Sequence, residues 1–356
     1  MPDKRVARVL KAFSRAGIDG FFVSAKENVT YLSGFNNDES FLFITRKARY
    51  FLTDSRYVEQ ARREAVGYKV ILREAKSYPQ MVRDLADKEK CFRVGFEAPK
   101  VSHSFYLALC KALGASRLVP VSGLVENLRI RKEAHEIRHL RKAVEITAAG
   151  VRHLAATLAP GMSEKDIQAR LEYQTKMLGS EKPAFDIIIA AGAKSSMPHA
   201  VPDNRSLVKE EDMVLVDMGV VSGGYHSDLT RCFFLGKIPP FRRKIYDTVL
   251  QAQERGIRRI RPGAPTRDVD AACRDFIHKK GYGKLFGHGT GHGVGLEIHE
   301  APTVSGRSTE ILEPGMVVTV EPGIYLPGQF GVRIEDMVLV TDKGHEVLTR
   351  DIDKRI

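Results

Sequence analysis

The chain has 356 residues, of which 43% are hydrophobic and 28% are charged, and its formal net charge is +12. This composition is typical of a globular protein, and the length favours two domains over one. No apolar run approaches the ~20 residues that a membrane-spanning helix needs, and the N-terminus lacks the apolar core of a secretory signal. We therefore expect a cytoplasmic protein without a membrane partner.

Positive charge is concentrated in residues 1–130, whose formal charge is +9, whereas the remaining residues carry +3. A basic half can indicate nucleic-acid binding. Here the charges are scattered through helix-like segments, and no zinc-finger, homeodomain-like or aromatic RNA-binding pattern accompanies them. A solvated basic face is the better interpretation, and we expect no nucleic-acid partner.

Strand-like apolar runs alternate with helix-like segments in the first 125 residues. The predicted strands cover residues 19–25, 48–53 and 93–99, and the predicted helices cover residues 1–17, 55–65 and 104–114. Such alternation predicts an α/β domain.

A charged stretch at residues 126–140 marks the junction to the second half of the chain. It leads into a long helical pattern in which apolar or small residues recur with a 3.6-residue period from Ile137 to Leu158. A Pro-Gly pair ends this pattern, and Ser163 is then predicted to cap the next helix. The second half is expected to contain both helices and strands.

Two acidic residues stand beside strand-like runs, one on each side of a Gly-Gly turn. Asp217 ends the run MVLVDMG, and Asp228 stands before LTRCFFLG. This spacing predicts a hairpin-like strand pair that brings the two carboxylates together. A turn cap or a strand end would explain either acid alone, so the hypothesis of a shared site depends on the later segments.

Residues 287–300 contain three histidines, His288, His292 and His299, among several glycines. The glycines oppose a helix, so the helical zinc motif of metalloproteases is excluded. The segment has no GxGxxG pattern and no GK[ST] follows it, which disfavours a phosphate-binding loop. We expect a close-packed loop or strand edge at which the backbone approaches a metal centre.

Two more acids lie within apolar sequence: Glu321 follows MVVTV, and Glu335 follows GVRI. Buried carboxylates are costly unless they are paired or bound to metal. Four carboxylates and one imidazole balance two divalent cations, and this ligand set favours manganese, cobalt, iron or zinc over copper. Two such ions can share a water, lower its pKa and polarise a carbonyl oxygen. The predicted reaction is hydrolysis of an amide. The candidate ligands are Asp217, Asp228, His292, Glu321 and Glu335.

The segments VDMGVVSGGYHSD (216–228), GHGTGHGVGLEIHE (287–300) and VEPGIYLPGQFGVRIED (320–336) resemble the catalytic domain of the pita-bread metallopeptidases. This family includes methionine aminopeptidases, prolidases, Xaa-Pro aminopeptidases and creatinases, and the resemblance is strongest to bacterial Xaa-Pro peptidases. The segments DGFFVSAKENVTYLSGF and YFLTDSRYVEQA resemble the N-terminal domain that prolidases, aminopeptidases P and creatinases share. Methionine aminopeptidases lack that domain, and creatinase lacks the metal-ligand set.

The resemblance implies an α/β (α+β) chain with a creatinase-like N-terminal domain at residues 1–125 and a pita-bread catalytic domain at residues 126–356. It also implies two divalent metal ions, with manganese placed first, and a homodimer. Asp217 would hold one ion, and His292 with Glu321 would hold the other. Asp228 and Glu335 would each bind both ions and so bridge them. A metal-bridging hydroxide would be the nucleophile, and Glu321 would handle its proton.

Further residues match the family pattern around the ligands. By resemblance, His199 in MPHAVPDN and His288 would contact substrate, while His299 would stabilise the tetrahedral intermediate. Tyr325 and Arg333 match positions behind the ligands, and Phe185 would line the proline pocket.

One departure from the pattern bears on the substrate. Several prolidases carry an arginine in a segment resembling HExPR that binds the free carboxylate of a dipeptide. Here the segment reads HEAPTVSGR, so Thr303 stands at that place and Arg307 lies further on. This loss favours a site that accepts longer peptides.

The leading expectation is therefore an Xaa-Pro aminopeptidase, similar to aminopeptidase P, that acts on small peptides with proline at position two. The alternative is an Xaa-Pro dipeptidase (prolidase). An inactive peptide-binding module on the same fold is a third hypothesis, which the complete ligand set disfavours.

Overall fold

The computed structural model describes residues 2–36 and 38–354. It divides into two compact units, Met1–Arg129 and Ile130–Ile356. The division falls within the charged stretch that the sequence places at the junction.

The first unit is built on one mixed sheet in the order β4-β3-β2-β1-β5-β6. Its strands are β1 Gly20–Val23, β2 Phe41–Thr45, β3 Arg49–Thr53, β4 Lys69–Leu72, β5 Val94–Glu97 and β6 Leu118–Val121. Its helices are α1 Pro2–Ala16, α2 Lys26–Ser33, α3 Val58–Glu64, α4 Tyr78–Lys88, α5 His103–Leu113 and α6 Glu126–Arg129. The alternation of strands and helices that the sequence predicts is confirmed.

Strand β1 is buried on both faces, which explains why its sequence is apolar without alternation. At the end of the adjacent β5, the buried Glu97 carboxylate accepts hydrogen bonds from the backbone N–H groups of Ser24 (2.6 Å) and Ala25 (2.7 Å). The Asn28 side chain donates a further bond of 2.6 Å to it. Glu97 therefore ties the two residues before α2, and the Asn28 side chain within it, to the end of β5.

The second unit combines several sheets with longer helices. Its helices are α7 Ala134–Thr157, α8 Glu164–Met177, α9 Pro240–Ile257 and α10 Thr266–Lys279. Its strands are β7 Lys182–Pro183, β8 Ile188–Ala191, β9 Met213–Met218, β10 Val220–Ser222, β11 Tyr225–His226, β12 Leu229–Phe234, β13 Gly291–Gly293, β14 Glu300–Val304, β15 Val317–Val320, β16 Gly323–Leu326, β17 Phe330–Arg333, β18 Asp336–Thr341 and β19 Gly344–Val347. They pair as β12-β9-β8, β11-β10-β7, β14-β13-β15-β18-β19 and β16-β17.

Two predictions about helices in this unit are confirmed. The long pattern after the junction forms α7, which spans 24 residues. Ser163 caps α8: its Oγ accepts from the Asp166 N–H at 3.0 Å, and the Asp166 carboxylate accepts from the Ser163 N–H at 3.2 Å. This reciprocal pair is a capping box.

Strand β9 separates two apolar clusters and thereby sets the direction of Asp217. Val214, Val216 and Met218 pack in the cluster that includes α7 and α8. Met213 and Leu215 pack in the cluster that includes α9 and α10. Because side chains alternate along a strand, Asp217 points to the same face as Leu215.

No helix in residues 2–36 and 38–354 has both the length and the apolar character that crossing a membrane requires.

Candidate metal centre

The first two acids are carried by the antiparallel pair β9 and β12. Thr230 lies directly opposite Asp217 in this pair, and Asp228 immediately precedes β12. The predicted strand pairing is present, but the connection between the two strands is not one tight turn. Strands β10 and β11 form a smaller hairpin within it, and the turn of that hairpin uses Gly223 and Gly224 at positive φ.

The other three candidate ligands come from neighbouring strands of a second sheet. His292 is the middle residue of β13, Glu321 directly follows β15, and Glu335 directly precedes β18. Strand β13 pairs with β15, and β15 pairs with β18. Adjacent strands therefore deliver the three side chains to one place.

Glycines beside His292 allow the close backbone packing that this geometry needs. A Cβ atom on Gly291 would lie 2.1 Å from the Thr319 carbonyl oxygen, and one on Gly293 would lie 2.2 Å from the Ala301 carbonyl oxygen. The expectation of close-packed backbone in place of a helix is confirmed, but the segment is neither a loop nor a strand edge, because β13 is an interior strand that pairs with both β14 and β15.

The ligand atoms converge. His292 Nε2 lies 3.5 Å from Asp228 Oδ2 and 3.5 Å from Glu321 Oε1. Ligand atoms of Asp228, His292 and Glu335 all lie within 4.8 Å of one another. The five candidate ligands line a single cavity of about 430 Å³.

The two oxygens of the Asp217 carboxylate differ in their hydrogen bonding. Its Oδ2 accepts a hydrogen bond of 2.7 Å from Arg333 Nη2. Its Oδ1 is buried and has no hydrogen-bond partner among the residues that the structure describes. A buried carboxylate oxygen without a donor is costly, and a cation would remove that cost.

Burial and mutual repulsion perturb the carboxylates strongly. Burial, together with the charges of Asp217 and Glu321, raises the pKa of Asp228 well above its usual value. Burial and the neighbouring acids do the same to the pKa of Glu335, and burial raises the pKa of Glu321 to about 7. Because each negative charge disfavours the next, these carboxylates are not all ionised at once unless positive charge is bound between them.

The imidazole of His292 is suited to bind a cation. Burial lowers its pKa to about 4, so the ring is neutral at neutral pH. Its Nδ1 lies 3.1 Å from the Gly293 carbonyl oxygen. The hydrogen on Nδ1 therefore fits that carbonyl, which leaves the Nε2 lone pair directed at the carboxylates. Neutral imidazole, buried carboxylates and an unpartnered oxygen together fit a divalent metal centre.

Of the remaining predicted site residues, all except Tyr325 also line this cavity. His199, His288, His299 and Phe185 line it. The His299 ring centroid lies 4.3 Å from that of His292. Burial lowers the pKa of His288 to about 4, and its Nε2 lies 3.0 Å from the Tyr325 hydroxyl.

Arg333 connects several parts of the site. It donates 2.8 Å to the Tyr325 hydroxyl, 3.1 Å to Thr230 Oγ1 and 3.2 Å to the Pro198 carbonyl oxygen, in addition to its bond with Asp217. Thr230 in turn donates 2.8 Å to Glu335 Oε2. Arg333 and Thr230 thus hold two of the carboxylates in fixed orientations.

Sequence reasoning missed several residues of the cavity. Thr230, which bonds to Glu335 but does not line the cavity, was also missed; it could have been found, because it is the second residue of β12 and lies two positions after Asp228. The lining residues Asp186, Ile188, Pro198 and Ile298 carry no comparable signal.

Thr303 lies directly opposite His292 in the pairing of β13 with β14, and its side chain is exposed. In an antiparallel pair, opposite residues project from the same face. The position that carries arginine in several prolidases is therefore on the His292 face. Arg307 is exposed in the segment after β14.

The chain matches two family models that together cover nearly its whole length. Residues 138–342 match metallopeptidase family M24, and residues 5–131 match the creatinase/prolidase N-terminal domain. The chain belongs to metallopeptidase family M24. It is accordingly a hydrolase of the pita-bread type, with a creatinase-like domain before the M24 catalytic domain.

Curated M24 relatives and solved structures agree with this assignment. The uncharacterized peptidase YqhT of Bacillus subtilis is 38% identical and aligns over 97% of both chains. The Xaa-Pro dipeptidase of Pyrococcus furiosus is 34% identical over 98% of both chains. A solved Xaa-Pro dipeptidase from Bacillus anthracis superposes with a TM-score of 0.95 at 40% identity, covering 98% of both chains. An X-Pro aminopeptidase from Thermotoga maritima superposes at 0.88 and 34% identity, covering 95% of this chain and 97% of its own.

Proposed function

We propose that this M24 metallopeptidase is an Xaa-Pro dipeptidase that uses two divalent metal ions. The observation that carries the proposal is the five-residue ligand set around one cavity, in a chain similar over almost its whole length to Xaa-Pro dipeptidases. The sequence alone placed the aminopeptidase first. The names of these relatives reverse that order and favour the dipeptidase.

The metal ions would be held by Asp217, Asp228, His292, Glu321 and Glu335. When bound, divalent ions supply Lewis acidity that lowers the pKa of water and polarises the scissile carbonyl oxygen. The raised pKa values of Glu321, Asp228 and Glu335 support this assignment, because bound cations would favour the ionised form of these buried carboxylates.

Glu321 is the group proposed to move the proton. The nitrogen of an Xaa-Pro bond carries no hydrogen, so it must gain a proton before proline can leave as an amine. The Glu321 carboxylate faces His292 Nε2 across the cavity. From there it can accept a proton from the attacking water and return it to the leaving nitrogen.

The histidines are proposed to act on the substrate carbonyl and its neighbours. Burial keeps the His288 ring neutral at neutral pH, and the Tyr325 hydroxyl fixes its orientation at 3.0 Å. His299 projects an exposed ring beside His292. A donor at that place can stabilise the negative charge that develops on the carbonyl oxygen. His199 is proposed to contact substrate from the segment after the 3-10 turn Gly192–Ser196.

The cavity volume of about 430 Å³ is near the lower end of the range of roughly 300–1,000 Å³ for small-molecule sites. A cavity of this size can hold a dipeptide. Xaa-Pro aminopeptidase activity remains the second candidate, because Thr303 leaves the carboxylate-binding arginine of several prolidases without a counterpart at that place. Manganese as the metal, a homodimer and a cytoplasmic location remain predictions.

Steady-state rates on Ala-Pro and Ala-Pro-Ala with added Mn²⁺ test the proposal. We expect kcat/KM for the dipeptide to exceed that for the tripeptide by about tenfold or more, which corresponds to a difference of about 1.4 kcal/mol or more. A preference for the tripeptide would assign the aminopeptidase. Ala-Ala is the control for proline dependence. Absence of turnover on both proline substrates by metal-loaded protein would support an inactive module.

A further inference from the structure

His199 has no hydrogen bond or ion pair of its own within residues 2–36 and 38–354, although it lines the cavity. Its side chain is exposed. The backbone of its segment therefore sets which part of the cavity the ring can reach. His199 lies in residues 192–203, which form a short 3-10 turn followed by irregular structure and therefore need tertiary contacts to fix their backbone.

A fully buried carboxylate outside the metal centre holds both ends of this segment. Glu164, the first residue of α8, has no exposed surface. Its Oε1 accepts a hydrogen bond of 2.9 Å from the Ala191 N–H at the start of the segment. Its Oε2 accepts from the Lys194 ammonium, and from the Asp203 N–H (3.3 Å) at the far end.

Lys194 completes the cluster by bridging two acids. Its ammonium also donates 2.6 Å to Asp203 Oδ2. Asp203 Oδ1 in turn accepts from the backbone N–H groups of Arg205 (2.8 Å) and Ser206 (2.7 Å). Hydrogen bonding from Lys194 lowers the pKa of Asp203, so this pair is ionised at neutral pH.

The middle of the segment is tied to the strand that carries Arg333. Ser195 is buried, and its Oγ accepts a hydrogen bond of 2.9 Å from the Gly331 N–H of β17. Arg333 donates 3.2 Å to the Pro198 carbonyl oxygen, one residue before His199. The segment is thus held at both ends by Glu164 and between them by β17.

A buried ion pair costs more to desolvate than well-packed apolar side chains of similar size. We propose that Glu164 and Lys194 are positioning residues whose ion pair places His199 at the substrate cavity. They act on turnover through His199 and do not touch the metal ligands. The expected loss of kcat/KM rests on the proposed peptidase function. The expected loosening of residues 192–206 does not, and it can be measured independently.

The main test removes both charges together, with Glu164→Gln and Lys194→Met, so that neither partner remains buried alone. Asp203→Asn is a milder second variant, because the Asp203 side chain is 47% exposed. The control is Arg141→Met with Glu346→Gln, which removes a bidentate surface ion pair of the same unit. Each protein is assayed on Ala-Pro with Mn²⁺, and its bound metal is measured.

We expect the double variant to lower kcat/KM about tenfold or more, as displacement of a catalytic group does, with metal content unchanged. In a His199→Ala background the same double change should have no further effect on kcat/KM. Asp203→Asn should shift turnover in the same direction by a smaller factor, and the control should leave it unchanged. Equal losses in both backgrounds, or no loss with wild-type His199, would overturn the proposal.

Hydrogen exchange gives the readout that does not depend on activity. Peptides covering residues 192–206 should exchange faster in the double variant and in Asp203→Asn, while peptides covering 287–300 should not change. Unchanged exchange in 192–206 would also overturn the proposal. If the wild-type protein cleaves no Xaa-Pro peptide but exchange behaves as expected, the peptidase assignment fails and the structural role of the ion pair stands.

Discussion

Arg333 Nη2 donates a hydrogen bond of 2.7 Å to Asp217 Oδ2, while Oδ1 of the same carboxylate is buried without a hydrogen-bond partner among the described residues. The same guanidinium contacts Thr230, Tyr325 and the Pro198 carbonyl oxygen. One side chain therefore orients a proposed metal ligand and contacts the backbone beside a proposed substrate contact.

Replacing Arg333 with Met should weaken metal binding at Asp217. Loss of a residue that orients a ligand typically reduces metal affinity about 10–100-fold. Removing one partner of a buried pair also destabilises the fold by about 3–5 kcal/mol. Titration calorimetry with Mn²⁺ and urea denaturation measure the two effects. Tyr325→Phe is the matched control, because it keeps the charge and removes one hydroxyl; affinity equal to wild type in Arg333→Met would contradict the role.

Asp228→Asn should remove a proposed bridging ligand. We expect at least one of two metal ions to be lost and kcat to fall by about 10³-fold or more, in keeping with loss of metal-assisted catalysis. Elemental analysis and Ala-Pro hydrolysis check this. Glu346→Gln, on the surface strand β19, is the control and should behave as wild type. Retention of full metal content and turnover by Asp228→Asn would refute the ligand assignment.

Glu321 makes the stability of the metal-free protein depend on pH. Burial raises its pKa from 4.5 to about 7, so the folded state binds a proton that the unfolded state has already released. The stabilising contribution is complete below pH 4.5 and is lost as pH rises through 7. The unfolding free energy of wild type relative to Glu321→Gln should therefore fall by up to about 3 kcal/mol between these values.

Urea denaturation of EDTA-treated protein at pH 4.5, 6 and 7.5 measures this difference. Using the difference between the two proteins removes the contributions of His288 and His292, whose lowered pKa values act in the opposite direction over an overlapping range. A difference that is constant or that grows with pH would show that Glu321 is ionised in the metal-free fold. Metal binding near neutral pH should accordingly release protons, which calorimetry in two buffers detects.

Thr303→Arg should increase the preference for dipeptides. Residue 303 lies opposite His292 on the same face, and its side chain is exposed. A guanidinium there can pair with the free carboxylate of Xaa-Pro, and a charge-assisted pair contributes about 1.5–3 kcal/mol. We expect kcat/KM for Ala-Pro relative to Ala-Pro-Ala to rise about tenfold or more. Thr303→Gln is the uncharged control, and an unchanged ratio in Thr303→Arg would place the carboxylate elsewhere.

Much of the fold and the five candidate ligands could be predicted from the sequence, because they depend on local patterns. The period of α7, the Ser163 cap and the acids beside apolar strands are visible within short segments. The contacts that orient these residues join distant parts of the chain. Thr230 and Glu335 are 105 positions apart, and Arg333 and Pro198 are 135 positions apart.

The ion pair of Glu164 and Lys194 was missed for the same reason. In the sequence, Glu164 is an ordinary first-turn acid of a helix, where a negative charge is favourable. Only the fold shows that it is fully buried against residues 191–203. The small hairpin between Asp217 and Asp228 was missed because one glycine-rich turn explained the spacing equally well.

The most direct test of the central claim measures metal content and dipeptide hydrolysis together on wild-type protein. Protein stripped with EDTA should be inactive, and titration with Mn²⁺ should restore Ala-Pro cleavage in proportion to bound metal up to two ions per chain, in keeping with a two-metal site. The rate on Ala-Pro should then exceed that on Ala-Pro-Ala. Cleavage that is undiminished after complete removal of metal, or no cleavage of either peptide with both ions bound, would contradict the account.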